Sequence, residues 1–223
     1  MTIGERLRLE PGPSRRVSAV DLVRDALRGA ILRGDLPGGS RLVQTEIATK
    51  LGVSTTPVRE AMRDLASKGL IVLDSHRIGT VRKPDCNEMV EIGEMRMSLE
   101  PIAMRHAMEN MTGAELGVAR GLAKELSKES DVGFWVEKNI RFHSVFHSAT
   151  KTSRLSGVLI ALEEAGGVFV AQAQRLHPEI RKRAIADHLS LLDAFESKNL
   201  ERAIEIQREH ISLPLEAYDL DLR

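Results

Sequence analysis

The sequence has little of what marks secreted or membrane proteins. It contains one cysteine, Cys86, which excludes an intrachain disulfide framework and fits a reducing compartment. No apolar run approaches the roughly 20 residues that span a bilayer, and the N-terminus lacks the apolar core of a signal peptide. We therefore expect a cytoplasmic protein that makes no membrane contact.

Net charge is also lacking, because 32 Lys and Arg balance 32 Asp and Glu. Taken alone, this argues against a nucleic-acid-binding protein. The charge is unevenly distributed, however: residues 1–84 carry 15 basic and 9 acidic side chains (net +6), and residues 85–223 carry 17 and 23 (net −6). This split indicates that the N-terminal third contacts a polyanion and that the remainder has another function.

Residues 39–69 carry the clearest pattern, that of two short helices joined by a tight turn. The first helix should end at Gly52, which can adopt the left-handed backbone of a helix C-terminus. In the second, Ser54 or Thr55 can cap the helix, Pro57 lies in the first turn, and Glu60 supports the cap. Its buried face should consist of apolar residues at helical spacing, namely Val58, Ala61, Met62 and Leu65.

The opposite face of this second helix carries hydroxyl and guanidinium groups, which reach phosphates and base edges when a helix enters a major groove. The pair of helices therefore predicts a helix-turn-helix that binds double-stranded DNA. The candidate DNA contacts are Arg41, Thr45, Ser54, Thr55, Thr56, Arg59, Arg63 and Arg77.

The flanking segments complete a winged helix-turn-helix. Periodic apolar residues predict a helix from Ser18 to Arg33. Two β-branched runs, 70–74 and 79–83, predict a two-stranded hairpin. Arg77 near the hairpin tip either contacts the DNA backbone or minor groove, or is simply solvated.

We divide the chain into a flexible arm (1–16), a DNA-binding domain (17–84) and a helical domain (85–223). The arm is either a disordered tail or a basic segment that contacts phosphate. Pro84 interrupts the chain before a region in which every element reads as a helix, so the fold class is mostly α. The six predicted helices run from Asp85 to about Glu109, Thr112 to about Glu129, Gly133 to Thr150, Ser153 to Leu176, Pro178 to Lys198, and Leu200 to about Leu222, the last kinked or ended by Pro214.

Four side chains of this all-helical bundle suit a divalent metal ion. Asn139 and His143 lie four residues apart on one helix face, and His188 and His210 lie on the last two helices. Three imidazoles and one oxygen converging inside a bundle would suit Zn²⁺, Ni²⁺ or another first-row ion. Spacing alone leaves open that these are ordinary helical histidines, and His147 competes as a ligand.

The run ILRGDLPGGSRLVQTEIATKLGVSTTPVREAMRDLASKGLI resembles the DNA-binding domain of the GntR family of bacterial transcription regulators. The family pattern is an x-G-x-x-P-G turn, then S-R-T-P-V-R-E-A and a closing L-x-x-x-G-L, and the similarity covers about residues 17–84. Thr55 stands where the family usually has an arginine that reaches the groove. The resemblance therefore implies that Arg59 carries more of the base readout.

The helical domain is similar to the FCD ligand-binding domain of the FadR branch of that family. The family's D/N-x-x-F-H motif and two later histidines match Asn139, His143, His188 and His210. The resemblance implies a divalent-metal site, with the amide of Asn139 in place of the commoner carboxylate lowering the metal affinity.

The family pattern R-x-x-L-E is present as Arg96-Met97-Ser98-Leu99-Glu100. It implies that Arg96 clamps the carboxylate of a bound effector. The alternative is an intrahelical pair between Arg96 and Glu100.

The leading interpretation is a homodimeric transcription regulator, joined through its helical domain, that binds a near-palindromic operator and is controlled by a small carboxylate effector. In this family an effector more commonly relieves repression, and activation of transcription is an alternative. A second hypothesis makes the metal alone the signal. A third is a metal-dependent hydrolase, for which the spacing of Glu163, Glu164 and Asp187 singles out no general base.

Overall fold

The computed structural model describes residues 18–74, 78–83 and 85–218. The chain divides into two compact units, residues 1–84 and residues 85–223. The predicted arm, residues 1–16, and the candidate DNA contact Arg77 lie outside the described residues. The prediction of a mostly helical protein is confirmed in both units.

The N-terminal unit contains three helices and three short strands. They are α1 (Ala19–Arg33), β1 (Arg41–Leu42), α2 (Gln44–Leu51), α3 (Thr55–Ser67), β2 (Ile71–Leu73) and β3 (Gly79–Val81). The Ser18 hydroxyl accepts a hydrogen bond from the Asp21 N–H and caps α1, and Gly34 ends the helix with a φ of 81°. The four apolar residues predicted for the inner face of α3 are fully buried.

The turn between α2 and α3 differs from the prediction in one detail. Gly52 ends α2 with a φ of 66°, as its position indicates, and Ser54 is the residue before α3. The expected support of this cap by Glu60 is wrong, because α3 has no acidic residue in its first turn. A capping box needs the acidic side chain three residues after the cap, and Pro57 occupies that position.

The wing is a three-stranded sheet of order β1-β3-β2, which corrects the predicted two-stranded hairpin. Arg41 pairs with Thr80 and Leu42 with Gly79, both antiparallel. A strand of two residues carries no alternation, so sequence periodicity could not reveal it. A Cβ at Gly79 would lie 2.6 Å from Cε of Met62 on α3, so the flexible end of that methionine would have to move to admit a side chain.

The second unit is a bundle of six helices within the described residues. They are α4 (Cys86–Asn110), α5 (Gly113–Leu126), α6 (Val132–Ala149), α7 (Ser153–Leu176), α8 (Glu179–Glu196) and α9 (Leu200–Glu216). Thr112 and Glu115 form the capping box that opens α5. Pro214 lies in the last turn of α9, which ends two residues later at Glu216 and not near Leu222.

Helix α6 is central, because it packs against α4, α5 and α7. Its inner face carries the large side chains Trp135, Phe142 and Phe146, all essentially inaccessible to solvent. Asn139 and His143 lie on the same buried face. The packing of α6 therefore fixes the positions of two of the predicted metal ligands.

Helix α7 is an exception to the expectation that no apolar run is long enough to span a bilayer. By length and composition α7 could do so, with a mean hydropathy of 1.3 over its most apolar window. The test is weak for a single helix, because core helices of bundles pass it too. Here α7 packs against α4, α6, α8 and α9, and it buries the carboxylate of Glu163.

Candidate functional site: a DNA-reading helix and a histidine cluster

The first candidate site is the outer face of α3. Thr55, Thr56 and Arg63 are exposed on this helix, and Arg59 is half-buried. Ser54 makes no capping hydrogen bond with its side chain, although its backbone is extended as at a helix N-cap. The face therefore presents hydroxyl and guanidinium groups, as the sequence predicts.

The cations of this unit differ in their partners. Arg24 pairs with Asp21 at 2.7 Å and with Asp25 at 3.0 Å, and Lys68 pairs with Asp64 at 3.6 Å. Within residues 18–74 and 78–83, by contrast, no ion pair involves either guanidinium of the α3 face. Unpaired guanidinium groups are the ones that can bind phosphate without first losing a carboxylate.

Two further candidates lie on neighbouring elements. Arg41 is exposed on β1, and Thr45 is exposed in the first turn of α2, where its carbonyl accepts a hydrogen bond from the Thr49 hydroxyl. The sheet that holds β1 thus places Arg41 on the wing, an assignment that sequence reasoning missed because it missed the strand.

The second candidate site is a cluster of three buried histidines from α6, α8 and α9. One ring nitrogen each from His143, His188 and His210 lies within 4.8 Å of the others. The Nε2 atoms of His143 and His210 are 3.1 Å apart. The structure thus brings together the three imidazoles that the sequence singles out.

The chemistry of the cluster fits a divalent ion. Both ring nitrogens of His188 are buried and have no hydrogen-bond partner among the described residues, which is costly unless a ligand satisfies them. Nδ1 of His210 lies 3.2 Å from Oδ2 of Asp187, a carboxylate contact that orients an imidazole for metal binding. The cluster could therefore hold a metal ion.

The protonation state of the buried histidines also favours metal binding. Burial lowers the pKa of His143 and of His188 well below the usual range, and the neighbouring histidines lower both further. Both rings are therefore neutral at pH 7, the form in which imidazole binds a metal ion.

Asn139, the fourth predicted ligand, is buried one helical turn before His143. Its Nδ2 donates to Oε1 of Glu163 at 3.4 Å. No described residue contributes a hydrogen bond to its Oδ1. The amide oxygen is thus available as a ligand, while the amide nitrogen is held by α7.

Arg96 is bound by two carboxylates. Its Nη2 lies 3.2 Å from Oε1 of Glu100 and 2.7 Å from Oε2 of Glu163. The intrahelical pair with Glu100 is thus present, and the contact with Glu163 was not predicted. The only sequence signal for it is an acidic residue in the apolar helix α7.

Glu100 also binds His147, the competing metal ligand. Nε2 of His147 lies 3.2 and 3.3 Å from the two carboxylate oxygens. Although burial raises the pKa of Glu100, the contacts with His147 and Arg96 lower it to about 2, so the carboxylate is ionised. His147 is therefore held beside the three-histidine cluster and not within it.

A small cavity adjoins the cluster. Its lining includes Arg96, Trp135, Asn139, Gln174 and His210, and its volume is about 20 Å³. This is room for one water molecule and far too little for an organic acid. Binding of a larger ligand would require the bundle to expand here.

Comparison with known proteins finds a matching family or domain for each half of the chain. Residues 20–81 match the family described as "Bacterial regulatory proteins, gntR family". Residues 91–213 match the FCD domain. Helix α3 lies in the first match, and the histidine cluster lies in the second.

Similar proteins match this chain over nearly their whole length. A probable D-xylose utilization operon transcriptional repressor of Paenarthrobacter nicotinovorans is 31% identical over 205 residues, 91% of this chain and 89% of that protein. The HTH-type transcriptional regulator McbR of Escherichia coli is 28% identical over 220 residues, 93% of this chain and 98% of that one. The solved structure of E. coli McbR/YncC matches with a TM-score of 0.73 at 25% identity, covering 91% and 99% of the two chains.

The family and these relatives are transcription regulators and not enzymes, so the hydrolase hypothesis is set aside. With the two domains matched in this order, the chain belongs to the GntR family of DNA-binding transcription regulators and carries a C-terminal FCD domain.

Proposed function

We propose that this protein is a repressor whose operator affinity is controlled by a small carboxylate effector bound at a divalent-metal site in the FCD domain. The observation that carries the proposal is the convergence of His143, His188 and His210 in the bundle core, with the nitrogens of His188 left without partners among the described residues. Arg96 lines the adjoining cavity and supplies the positive charge for a carboxylate.

The metal ligands in this proposal are His143, His188, His210 and the amide oxygen of Asn139. Three nitrogens and one oxygen suit Zn²⁺ or Ni²⁺. The neutral amide contributes no charge, so the ion should bind more weakly than in a site with a carboxylate at this position.

Operator binding is assigned to α3, β1 and the start of α2. The proposed contacts are Arg41, Thr45, Ser54, Thr55, Thr56, Arg59, Arg63 and Arg77. Those that lie among the described residues are hydroxyl or guanidinium side chains with access to solvent. Because the guanidinium groups of α3 have no carboxylate partner within the described residues, they gain the full benefit of a phosphate or a guanine edge.

A homodimer follows from the size of an operator, since one winged domain reads few base pairs. We assign the dimer contact to α4 and α7, which pack side by side and expose apolar side chains to solvent. Met95, Ile102 and Val158 are 38%, 39% and 48% exposed. A second copy would bury this face, and the regulator would act in the cytoplasm, where its DNA is.

An effector carboxylate must compete with Glu163 for Arg96. Effector binding would therefore separate α4 from α7 locally, at the same helices that we assign to the dimer contact. A change in the spacing of the two DNA-binding units would then weaken operator binding.

The small cavity favours one alternative, in which the metal ion alone is the signal. The test is a titration of operator binding with Zn²⁺ or Ni²⁺, with and without a panel of short organic acids, read by fluorescence anisotropy of labelled DNA. Release of DNA that requires an acid supports the effector mechanism. Release by metal alone, with no added effect of any acid, would support the alternative.

A further inference from the structure

Three of the residues that line the cavity beside the histidines carry a buried N–H donor. The donors are Nε of Arg96, Nε1 of Trp135 and Nε2 of Gln174, and none has a hydrogen-bond partner in the part of the chain that the structure describes. The three residues are only 8%, 1% and 3% exposed. Buried donors without acceptors destabilise a fold, so three around one cavity indicate a ligand that supplies the acceptors.

The orientation of the Gln174 amide is fixed by Arg181. Nε of Arg181 donates to Oε1 of Gln174 at 2.9 Å. A guanidinium can only donate, so the amide must turn its oxygen to Arg181 and keep its NH₂ group for another partner. Arg181 is itself held by the carbonyls of Glu129 and Ser130, at 3.2 and 2.9 Å.

The indole of Trp135 is fixed by the same arginine and by the histidine cluster. The guanidinium carbon of Arg181 lies 6.0 Å from the indole centroid. On the cluster side, the indole and the ring of His188 are 6.1 Å apart with planes inclined by 21°. Trp135 therefore spans the distance between the proposed metal site and Arg181.

The acceptors that line the cavity have other roles. Glu163 is paired with Arg96, and the oxygen of Asn139 is assigned to the metal ion. The polar end of the cavity at Trp135 and Gln174 is thus lined by donors, and Arg181 beside it adds positive charge.

From this arrangement we infer that Trp135 and Gln174 bind the effector, and that the effector is a short dicarboxylate. Because the cavity of about 20 Å³ is too small for such an acid, the bundle must expand here to admit it. One carboxylate would then lie at Arg96 and the histidines, and the second would accept hydrogen bonds from Trp135 and Gln174. The inference rests on the effector site proposed above and specifies its ligand. A monocarboxylate of the same length would leave the two donors buried without acceptors.

The experiment compares succinate with butyrate, four-carbon acids that differ only in the second carboxylate. Affinity for the metal-loaded, full-length protein is measured by calorimetry, and also by the fluorescence of Trp135, the one tryptophan of the chain. Succinate should bind at least about tenfold more tightly than butyrate, the effect of hydrogen bonds to a charged group.

Two variants test whether Trp135 and Gln174 cause the preference for succinate over butyrate. Trp135→Phe and Gln174→Leu should each weaken succinate binding about tenfold and leave butyrate binding within about twofold. Gln207→Leu is the matched control, because Gln207 is an equally buried amide, without partners among the described residues, that does not line this cavity. It should change neither affinity.

The outcomes distinguish failure of the dicarboxylate assignment from failure of the proposed function on which it rests. Equal binding of succinate and butyrate, or succinate binding unchanged in both cavity variants, overturns the inference. The proposed function stands in those cases if either acid still releases operator DNA. If neither acid binds to protein shown by elemental analysis to contain metal, the dicarboxylate assignment is wrong, and absence of metal from the wild type overturns the proposed function itself.

Discussion

His143 and His210 face each other with their Nε2 atoms 3.1 Å apart, although 67 residues separate them in the chain. Two imidazole nitrogens at this distance can share one proton or bind one ion. Because burial lowers the pKa of His143 well below its usual range, the cluster is suited to a metal ion and not to accumulated protons.

Replacement of His188 by alanine should lower the bound metal. The variant removes one of the three proposed nitrogen ligands, and with it two buried nitrogens that have no partner among residues 18–74, 78–83 and 85–218. Elemental analysis of the purified protein measures the effect, with His177→Ala as control because His177 is an exposed histidine outside the cluster. An undiminished metal content in His188→Ala would remove this residue from the site.

Asn139→Asp should strengthen metal binding by roughly tenfold, because it adds a negative charge to the proposed ligand set. The same change should destabilise the metal-free protein, since the amide nitrogen that donates to Glu163 is replaced by a carboxylate oxygen at 3.4 Å. Chelator competition measures the first effect, and thermal unfolding with and without metal measures the second. A variant that is less stable but binds metal no better would contradict the assignment of Asn139 as a ligand.

Arg59→Ala should abolish operator binding and leave the fold intact. A bidentate contact of arginine with a base contributes about 1–3 kcal/mol of discrimination. Fluorescence anisotropy gives the affinity, and circular dichroism gives the unfolding temperature. Arg24→Ala is the control, because Arg24 is already paired with Asp21 and Asp25. Operator affinity unchanged in Arg59→Ala would contradict the placement of α3 in the groove.

Glu115→Gln should lower the unfolding temperature at neutral pH. Hydrogen bonds from Lys151 and from the backbone and hydroxyl of Thr112 lower the pKa of Glu115 from 4.5 to about 2. A folded-state pKa below the unfolded value stabilises the protein above pH 4.5, and that stabilisation is lost as the pH falls toward 2. Glutamine keeps the capping box, so the difference, about 0.5 kcal/mol for a surface pair, should vanish in acid. A difference that persists at low pH would mean that the charge is not its cause.

Val158→Arg should convert the proposed dimer to monomers and reduce operator affinity. The side chain is 48% exposed on α7, one of the two helices to which we assign the dimer contact. Light scattering after size-exclusion chromatography measures the mass of the particle. Val118→Arg is the control, because Val118 is 57% exposed on α5, outside that face. An unchanged mass for Val158→Arg would place the dimer contact elsewhere.

Much of the fold follows from short-range patterns. The apolar spacing of Val58, Ala61, Met62 and Leu65 identifies the buried face of α3, and Gly52 marks the end of the helix before it. These signals lie within one or two helical turns, which is the range over which hydrogen bonding and side-chain period select a helix.

The errors of prediction arise where longer-range contacts decide. Strand β1 exists because Arg41 and Leu42 pair with residues of β3, and two residues have no periodicity of their own. The assignment of Glu60 is the exception, a local error, because Glu60 lies beyond the first turn of α3 and cannot support its cap. In α7 the buried carboxylate of Glu163 is stabilised by Arg96, 67 positions earlier in the chain.

The sequence by itself determined most of the helices, the solvent-exposed face of α3 that we propose to bind DNA and, through the family motif, the identity of the histidines. Only the tertiary structure decided that those histidines meet, that Glu163 pairs with Arg96, and that one cavity is lined by Trp135 and Gln174, whose side-chain N–H donors have no partner among the described residues. The physical reason is that a helix is specified by residues three and four apart, whereas the partner of a buried polar group is set by which helices pack together.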